Sequence, residues 1–305
     1  MTVEERIEKT LAFFALQSSA LTQFELFWFL VQDPHVLEAH VGGRGELIDI
    51  PKGLSGTVEF AEVLAALDTL VESGTVVTRY GYYTLSANQD ILLARWKGYQ
   101  QGVWREKRIR WFVSICAVIP FVRAAGLAGS QALGVVKAGS DIDLFVITDP
   151  RWLWLPRTLV TAFFHFLGIR RYGNKIARRV CLNHYLAGTK HMQEGRNWYT
   201  ASEYCKLRPL FGEVYIRQFQ NVNREWLQAF FPNVQFPVLH VPKNRGVQAV
   251  VEKVIAYMGG AYLEAWLGGW QSKRIHKDER HIIVTQDELS FHPKSKQDAI
   301  LEAFK

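Results

Sequence analysis

Two aspartates separated by one residue, Asp141 and Asp143, are the residues of this sequence best suited to metal chemistry. They open an apolar run, Leu144 to Ile147, that is typical of a buried strand. Because side chains alternate between the faces of a strand, we expect both carboxylates on one face. Neighbouring carboxylates repel each other unless a cation lies between them, and oxygen ligands suit Mg²⁺ or Mn²⁺. The sequence therefore predicts a divalent metal site at Asp141 and Asp143.

A glycine–serine corner, Gly129 and Ser130, follows a strand of small residues shortly before the aspartates. Gly129 lets the backbone approach a bulky anion, since it carries no side chain. Ser130 begins a short predicted helix, whose free N–H groups can bind phosphate. A polyphosphate cradle beside a metal site is suited to in-line displacement at phosphorus.

This segment resembles the DNA polymerase β-like nucleotidyltransferase superfamily. The matching residues are Gly129, Ser130, Ala132, Gly134, Ser140, Asp141 and Asp143. The resemblance implies a Mg²⁺-dependent enzyme that transfers a nucleoside monophosphate from an NTP to a hydroxyl acceptor and releases pyrophosphate. It also implies that Asp141 and Asp143 hold the metal against the triphosphate, and that nucleotide contacts come from Gly129, Ser130, Gly134 and Ser140.

The third carboxylate that the superfamily usually carries on a later strand is not evident. The next predicted strand, Val180 to Ala187, contains no Asp or Glu, and Asn183 occupies the equivalent place. Asparagine can ligate a metal or nucleotide but cannot take a proton, and His184 is expected on the opposite face. Glu203, on a helix expected to begin near Ala201, is an alternative catalytic carboxylate. Either Glu203 supplies the general base, or the site has lost it.

The net charge of +7 is unevenly distributed. Residues 1–100 carry 7 Lys/Arg against 13 Asp/Glu, whereas residues 101–305 carry 29 against 16, so the second part is strongly basic. Two basic clusters flank the predicted site, at Arg105, Lys107, Arg108 and Arg110, and at Arg170, Arg171, Lys175, Arg178 and Arg179. They are either a solvated surface or a rim for phosphate. The acceptor could be a small molecule, a protein hydroxyl or an RNA end, and the basic charge favours an anionic one without choosing among them.

The first 88 residues resemble a winged helix-turn-helix domain in their pattern. Apolar spacing predicts helices over residues 3–17, 21–32 and 58–73, followed by a hairpin over residues 75–85. We expect Pro34 to end the second helix. The segment is acidic and helix 58–73 contains no Lys or Arg, so packing or dimerisation is favoured over DNA binding.

The complete prediction is an α+β protein with three domains: residues 1–88, a nucleotidyltransferase core with a mixed sheet over residues 89–190, and a mostly helical region over residues 191–305. In the last region we expect a helical pattern over residues 200–231 that is broken by Pro209 and Gly212. A second helical pattern is expected over residues 246–270, with a kink or a close helix contact at Gly259 and Gly260. A strand over residues 281–285 and a helix over residues 296–304 follow. Trp198, Trp226, Trp266 and Trp270 are expected to pack in the core rather than stack on a ligand.

A cytoplasmic location is expected, since the three cysteines are far apart and suit neither a disulfide scaffold nor a CxxC zinc site. No basic segment precedes the first apolar run, so no secretory signal is expected. Residues 111–122 are too few to span a bilayer, and residues 152–169 are interrupted by Pro156 and Arg157. We therefore expect no membrane partner.

Three functions follow as alternatives. The first is the nucleotidyltransferase, an enzyme. The second is a non-catalytic nucleotide-sensing regulator that has kept the cradle and lost the third carboxylate. The third is a winged-helix DNA-binding regulator, against which the acidity of residues 1–100 counts.

Overall fold

The computed structural model describes residues 1–42, 46–47, 49–50, 56–136, 139–173, 176–192, 195–240, 246–275, 283–291 and 294–304. Within these residues the chain is α+β, as predicted: a six-stranded mixed sheet carries helices on both faces, and a two-stranded hairpin stands apart from it. No helix among the described residues has the length and the apolar content needed to cross a membrane.

The helices are α1 (Val3–Leu16), α2 (Gln23–Trp28), α3 (Pro34–Leu37), α4 (Phe60–Glu72), α5 (Asp90–Cys116), α6 (Gly129–Ala132), α7 (Trp154–Phe166), α8 (Trp198–Cys205), α9 (Glu213–Val222), α10 (Arg224–Phe230), α11 (Val247–Tyr257), α12 (Gly260–Ile275) and α13 (Lys294–Phe304). The strands are β1 (Val76–Arg79), β2 (Tyr82–Leu85), β3 (Val122–Leu127), β4 (Ile142–Thr148), β5 (Val180–Ala187), β6 (Arg208–Phe211), β7 (Ile283–Val284) and β8 (Glu288–Ser290).

The N-terminal helices begin where capping residues stand. Thr2 and Thr22 each accept a hydrogen bond from the backbone three residues on, and a glutamate returns the bond, which completes two capping boxes. The second helix is shorter than predicted and ends at Trp28. Pro34 does not end it but begins α3, because proline at the first helical position gives up no intrahelical hydrogen bond.

The large sheet has the strand order β6-β3-β4-β5-β8-β7. β3 runs antiparallel to both β4 and β6, while β4 and β5 are parallel and are joined by the α7 crossover. β8 pairs antiparallel with β5, and β7 with β8. The two strands that carry the predicted site residues, β4 and β5, are therefore the central pair.

Alternation along β4 divides the interior into two cores. Phe145 and Ile147 face a core built from the N-terminal helices together with α8, α9, α10 and α13. Leu144 and Val146 face a second core, which includes residues of α5, α7 and α12. The segment 1–88 thus shares its core with the C-terminal helices, and the domain boundaries remain a prediction.

The C-terminal region is interrupted where glycine and proline predicted it, but its strands differ from the prediction. The interval 200–231 breaks at Pro209 and Gly212, and Pro209 lies in a strand, β6, at an edge of the sheet where a missing N–H is tolerated. The predicted helix 246–270 divides into α11 and α12 at Gly259, whose φ is +84°. Of the predicted strand 281–285, residues 281 and 282 lie outside the described part and β7 covers Ile283–Val284, while β6 and β8 were not anticipated.

Two of the four tryptophans expected in the core are not there. Trp226 is fully buried and Trp198 is half-buried against Phe230 and Phe231. Trp266 and Trp270 are exposed, because the side of α12 that packs on the protein carries other residues. That expectation was wrong for Trp266 and Trp270.

Candidate functional site

The two aspartates point to the same side of the sheet. Asp141 immediately precedes β4, and Asp143 is its second residue, on the face of Phe145. Both are half-buried. One carboxylate oxygen of each and the sulfur of Cys181 all lie within 4.8 Å of one another. The structure therefore brings the predicted carboxylate pair together and adds a thiol to it.

Cys181 is the neighbour that the sequence did not reveal. The parallel register of β4 and β5 places Cys181 beside Asp143, and a bulge after this pair aligns Phe145 with His184. Cys181 therefore stands beside the pair where Asn183 was expected, and the side chain of Asn183 lies outside the described part. His184 packs on the Phe145 ring, so it shares the face of Asp143 instead of the opposite one.

The Cys181 thiol is held in its protonated form. Burial raises its pKa to about 12, and the charges of Asp143 and Asp141 act in the same direction. The cluster thus combines two aspartates with a thiol that is neutral at neutral pH. Cys181 could have been found in the sequence by aligning residues 142–143 (ID) with residues 180–181 (VC). That alignment requires knowing that the two strands are parallel neighbours.

Gly129 lies against the carboxylate pair. Its φ is +63°, and a Cβ at this position would stand 2.9 Å from Oδ2 of Asp143. The Ala128 N–H donates to the Asp143 backbone carbonyl at 3.0 Å, which holds the corner beside β4. α6 begins here, and Ser130 is exposed. The close approach that glycine permits at this corner is therefore made to the Asp143 carboxylate.

Glu203 reaches the same corner from α8. Its Oε2 accepts a hydrogen bond from the Gly129 N–H at 3.0 Å, and its Oε1 is 2.5 Å from Nζ of the buried Lys206. Tyr199, one turn earlier, has its pKa raised by the charge of Glu203, by burial and by Asp143. Glu203 thus lies close to the site but outside the cluster of Asp141, Asp143 and Cys181.

Arginines surround the first aspartate. Arg171 forms an ion pair with Asp141 through Nη1. Arg105, on α5, donates to the Ser140 hydroxyl at 3.4 Å, and the Arg178 N–H donates to the Ser140 carbonyl at 3.0 Å. Burial and the nearby charge of Arg178 both lower the pKa of Arg105. Cationic side chains from both predicted basic clusters therefore meet at Ser140 and Asp141.

Gly134 serves the packing of this segment on α5. It is buried with a φ of +74°, and a Cβ there would come within 3.2 Å of Arg95 and 3.3 Å of Tyr99. On α5, Gly98 packs closely against the backbone of Val136. A Cβ at position 98 would stand 2.9 Å from the Val136 nitrogen. Gly134 therefore lets this segment pack closely on α5, and its predicted nucleotide contact stays a prediction.

The structure brings together most of the predicted residues. Glu203 is hydrogen-bonded to Gly129, and Gly129 lies against Asp143. Asp143 and Asp141 have carboxylate oxygens within 4.8 Å of each other. Ser140 precedes Asp141, and Ser130 is exposed at the start of α6. Of the predicted basic clusters, Lys175 and the side chain of Arg108 lie outside the described part. Comparison with protein-family models, with curated proteins and with solved structures returned no match for this chain.

Proposed function

We propose that this protein is a divalent-metal-dependent nucleotidyltransferase with the nucleotidyltransferase fold expected from its sequence. The observation that carries the proposal is that Gly129 lies directly against the Asp143 carboxylate. A Cβ at position 129 would stand 2.9 Å from Oδ2 of Asp143. A metal on the carboxylates and a phosphate on the corner would then be immediate neighbours. Such an arrangement suits transfer at phosphorus.

Two of the three clustered side chains, those of Asp141 and Asp143, suit a hard divalent cation. The oxygens of Asp141 and Asp143 suit Mg²⁺ or Mn²⁺, while the neutral thiol of Cys181 does not suit Mg²⁺. Asp141 and Asp143 would therefore hold the ion. When bound, it would polarise the α-phosphorus of an NTP and neutralise charge on the triphosphate.

The surrounding cations supply binding energy for an anionic substrate. The side chains of Arg105 and Arg171 contact Ser140 and Asp141, and the charge of Arg178 lies near Arg105, so positive charge is concentrated beside the carboxylates. Phosphate oxygens are strong acceptors for guanidinium groups, so this side is suited to the triphosphate of an NTP and to the pyrophosphate that leaves. We expect the Ser130 hydroxyl, exposed at the start of α6, to contact the same substrate.

Glu203 is better suited to positioning than to taking a proton. Its two oxygens are engaged, one by the Gly129 N–H and the other by Lys206, whose side chain is 2% exposed. A buried ammonium needs a counter-ion, so Lys206 holds the Glu203 carboxylate in place. These contacts favour a role for Glu203 in fixing the corner against Asp143.

A non-catalytic nucleotide sensor is the second candidate, and the same contacts favour it. Cys181 stands beside Asp143 on the neighbouring strand, and its protonated thiol cannot act as a general base at neutral pH. A protein with the metal pair and the cradle but without this base would bind nucleotide without transferring it.

Transfer of label distinguishes the two candidates. The full chain is incubated with each α-labelled NTP, with Mg²⁺ or Mn²⁺, and with cell extract as a source of acceptors. An enzyme transfers label to a product and releases pyrophosphate, and the Asp141→Asn/Asp143→Asn variant does neither. A sensor binds the labelled NTP with the same dependence on Asp141 and Asp143 but yields no product. Absence of binding and transfer would refute both.

A winged-helix-like arrangement of residues 1–88 is the companion proposal. Its support is the order α1, α2, α4 and then the β1–β2 hairpin, in agreement with the predicted pattern. The fully buried Phe13 and Phe14 of α1 share a core with Phe230 and Phe231. This favours packing as the role of the segment, rather than DNA binding.

A further inference from the structure

Helices α11 and α12 leave a large apolar surface uncovered, which we call the α11–α12 surface. Its members are Val247, Val250, Val251, Val254, Tyr257, Met258, Tyr262, Leu263, Trp266 and Trp270. Tyr257, Met258 and Tyr262, around the turn between the helices, are 93%, 78% and 85% exposed. Ten apolar side chains on adjoining helices exceed the scattered exposure normal for a protein surface.

The spacing within this surface is helical on both sides of the turn. Val247, Val250, Val254 and Tyr257 recur every three or four residues, so they form one stripe along α11. On α12, every fourth residue forms a ridge of Tyr262, Trp266, Trp270 and Arg274. The indoles of Trp266 and Trp270 are parallel, with ring centres 6.4 Å apart, and the Arg274 guanidinium lies 4.6 Å from the Trp270 ring centre.

The acidic and the basic side chains of these two helices lie on different sides. The acidic residues face the protein: Glu252 is bound to Arg123 at 2.7 Å, and Glu264 accepts from the backbone N–H groups at the start of α7. Within residues 246–275, the exposed charged side chains are Lys253, Lys273 and Arg274. Over residues 246–275 the surface thus presents apolar and aromatic groups flanked by positive charges.

We propose that the α11–α12 surface binds an anionic lipid bilayer, with the two helices lying at the membrane interface. Apolar side chains at the tip enter the headgroup boundary, tyrosine and tryptophan suit that depth, and the basic flanks contact anionic headgroups. A second copy of this chain fits less well, because the exposed charges that residues 246–275 of each copy would bring together are all positive. RNA fits less well because the valine stripe and Met258 offer no rings for stacking.

This docking leaves the candidate site accessible. α11 is anchored through Glu252 to Phe121 and Arg123, at the start of β3. Asp143 and the Gly129 corner lie beyond the other end of β3. The bilayer would therefore contact the end of β3 remote from the carboxylates. The proposal departs from the expectation of no membrane partner. It is compatible with the lack of a spanning helix among the described residues, since a protein can lie on a bilayer without crossing it.

Co-sedimentation with vesicles tests the proposal on the full chain. We expect binding to vesicles of phosphatidylcholine with phosphatidylserine, weaker binding at high salt, and little binding to phosphatidylcholine alone. Tyr257→Ser with Met258→Ser should weaken binding at least tenfold. These side chains are largely exposed, so the fold is expected to survive, and a thermal melt checks this. Lys273→Glu with Arg274→Glu should abolish the preference for anionic vesicles.

The matched control is Phe24→Ser with Val36→Ser, two exposed apolar residues of the N-terminal helices, which should leave vesicle binding unchanged. Equal binding to neutral vesicles, no binding to either, or an equal loss in the control would overturn the proposal. So would a dimer in light scattering that the Tyr257/Met258 variant dissociates, or binding of an oligoribonucleotide that this variant removes. Nucleotide affinity should be unchanged throughout, which separates this surface from the candidate site.

Discussion

Replacing Gly129 by alanine perturbs the candidate site through a single methyl group. Gly129 has a φ of +63°, and its missing Cβ would lie 2.9 Å from Oδ2 of Asp143. Ordinary van der Waals contact begins near 3.4 Å, so the carboxylate must move by about 0.5 Å. The substitution therefore strains the backbone and displaces one of the proposed metal ligands.

Two separate effects follow, one on folding stability and one on nucleotide affinity. Placing an L-residue in the left-handed region costs about 1–2 kcal/mol of folding stability. The displacement of Asp143 adds a loss of nucleotide affinity, because metal ligands tolerate little misplacement. We expect that loss to be at least tenfold, or about 1.4 kcal/mol of binding free energy.

Gly74→Ala is the matched control. Gly74 has a φ of +76°, and nothing lies within 4 Å of the position of its Cβ, so alanine there brings the strain without the contact. Urea unfolding should show a similar loss of stability in both variants. Isothermal titration with NTP and Mg²⁺ should show weakened binding in Gly129→Ala alone.

The reasoning is refuted if Gly129→Ala binds NTP as tightly as the wild-type chain while it is destabilised like Gly74→Ala. It is equally refuted if both variants lose NTP binding, since the effect would then come from backbone strain rather than from contact with Asp143.

Three further predictions concern buried charge and proton binding. Glu264→Ala should cost about 1–3 kcal/mol of unfolding free energy, because three backbone N–H groups at the start of α7 lose their acceptor, and urea unfolding measures this. Glu203→Ala should cost about 3–5 kcal/mol, because Lys206 is left buried without its counter-ion, whereas Lys206→Met with Glu203→Leu should recover much of the loss. Alkylation of Cys181 should be slow at pH 8 and should accelerate about tenfold per pH unit toward pH 12, as mass spectrometry can follow. Since the folded pKa of Cys181 exceeds its usual 9.0, its contribution to stability is present below pH 9 and is lost as the pH rises toward 12.

Local patterns were sufficient for several of the helices and for the central strands. The predicted strand Val180 to Ala187 coincides with β5, and α1, α4 and α13 lie within two residues of their predicted bounds. These elements have clear apolar periodicity or end at glycine or proline, so their own sequences specify them.

The edge elements could not be predicted in this way. β6 contains Pro209, which interrupts a helical pattern, and only its place at a sheet edge makes it a strand. β8 has three residues, Glu288 to Ser290, and exists because β5 offers a partner. Tertiary pairing determines both, and a periodicity argument contains no tertiary information.

The candidate site was predicted as far as one strand could specify it. Asp141, Asp143 and Gly129 follow from alternation and from the glycine corner. Cys181 depends on the register between two parallel strands, which only the structure supplies. The pairing of Arg171 with Asp141 likewise depends on how the loop after α7 returns to β4.

Calorimetric titration of NTP, with and without Mg²⁺, is the most direct measurement of whether Asp141 and Asp143 hold a metal that binds nucleotide. The wild-type chain and an Asp68→Asn control, an exposed acid on α4, should bind NTP only when the divalent ion is present. The Asp141→Asn/Asp143→Asn variant, folded by its thermal melt, should show no Mg²⁺-dependent binding. Unchanged affinity in that variant, or wild-type binding that does not depend on the metal, would contradict the proposed site.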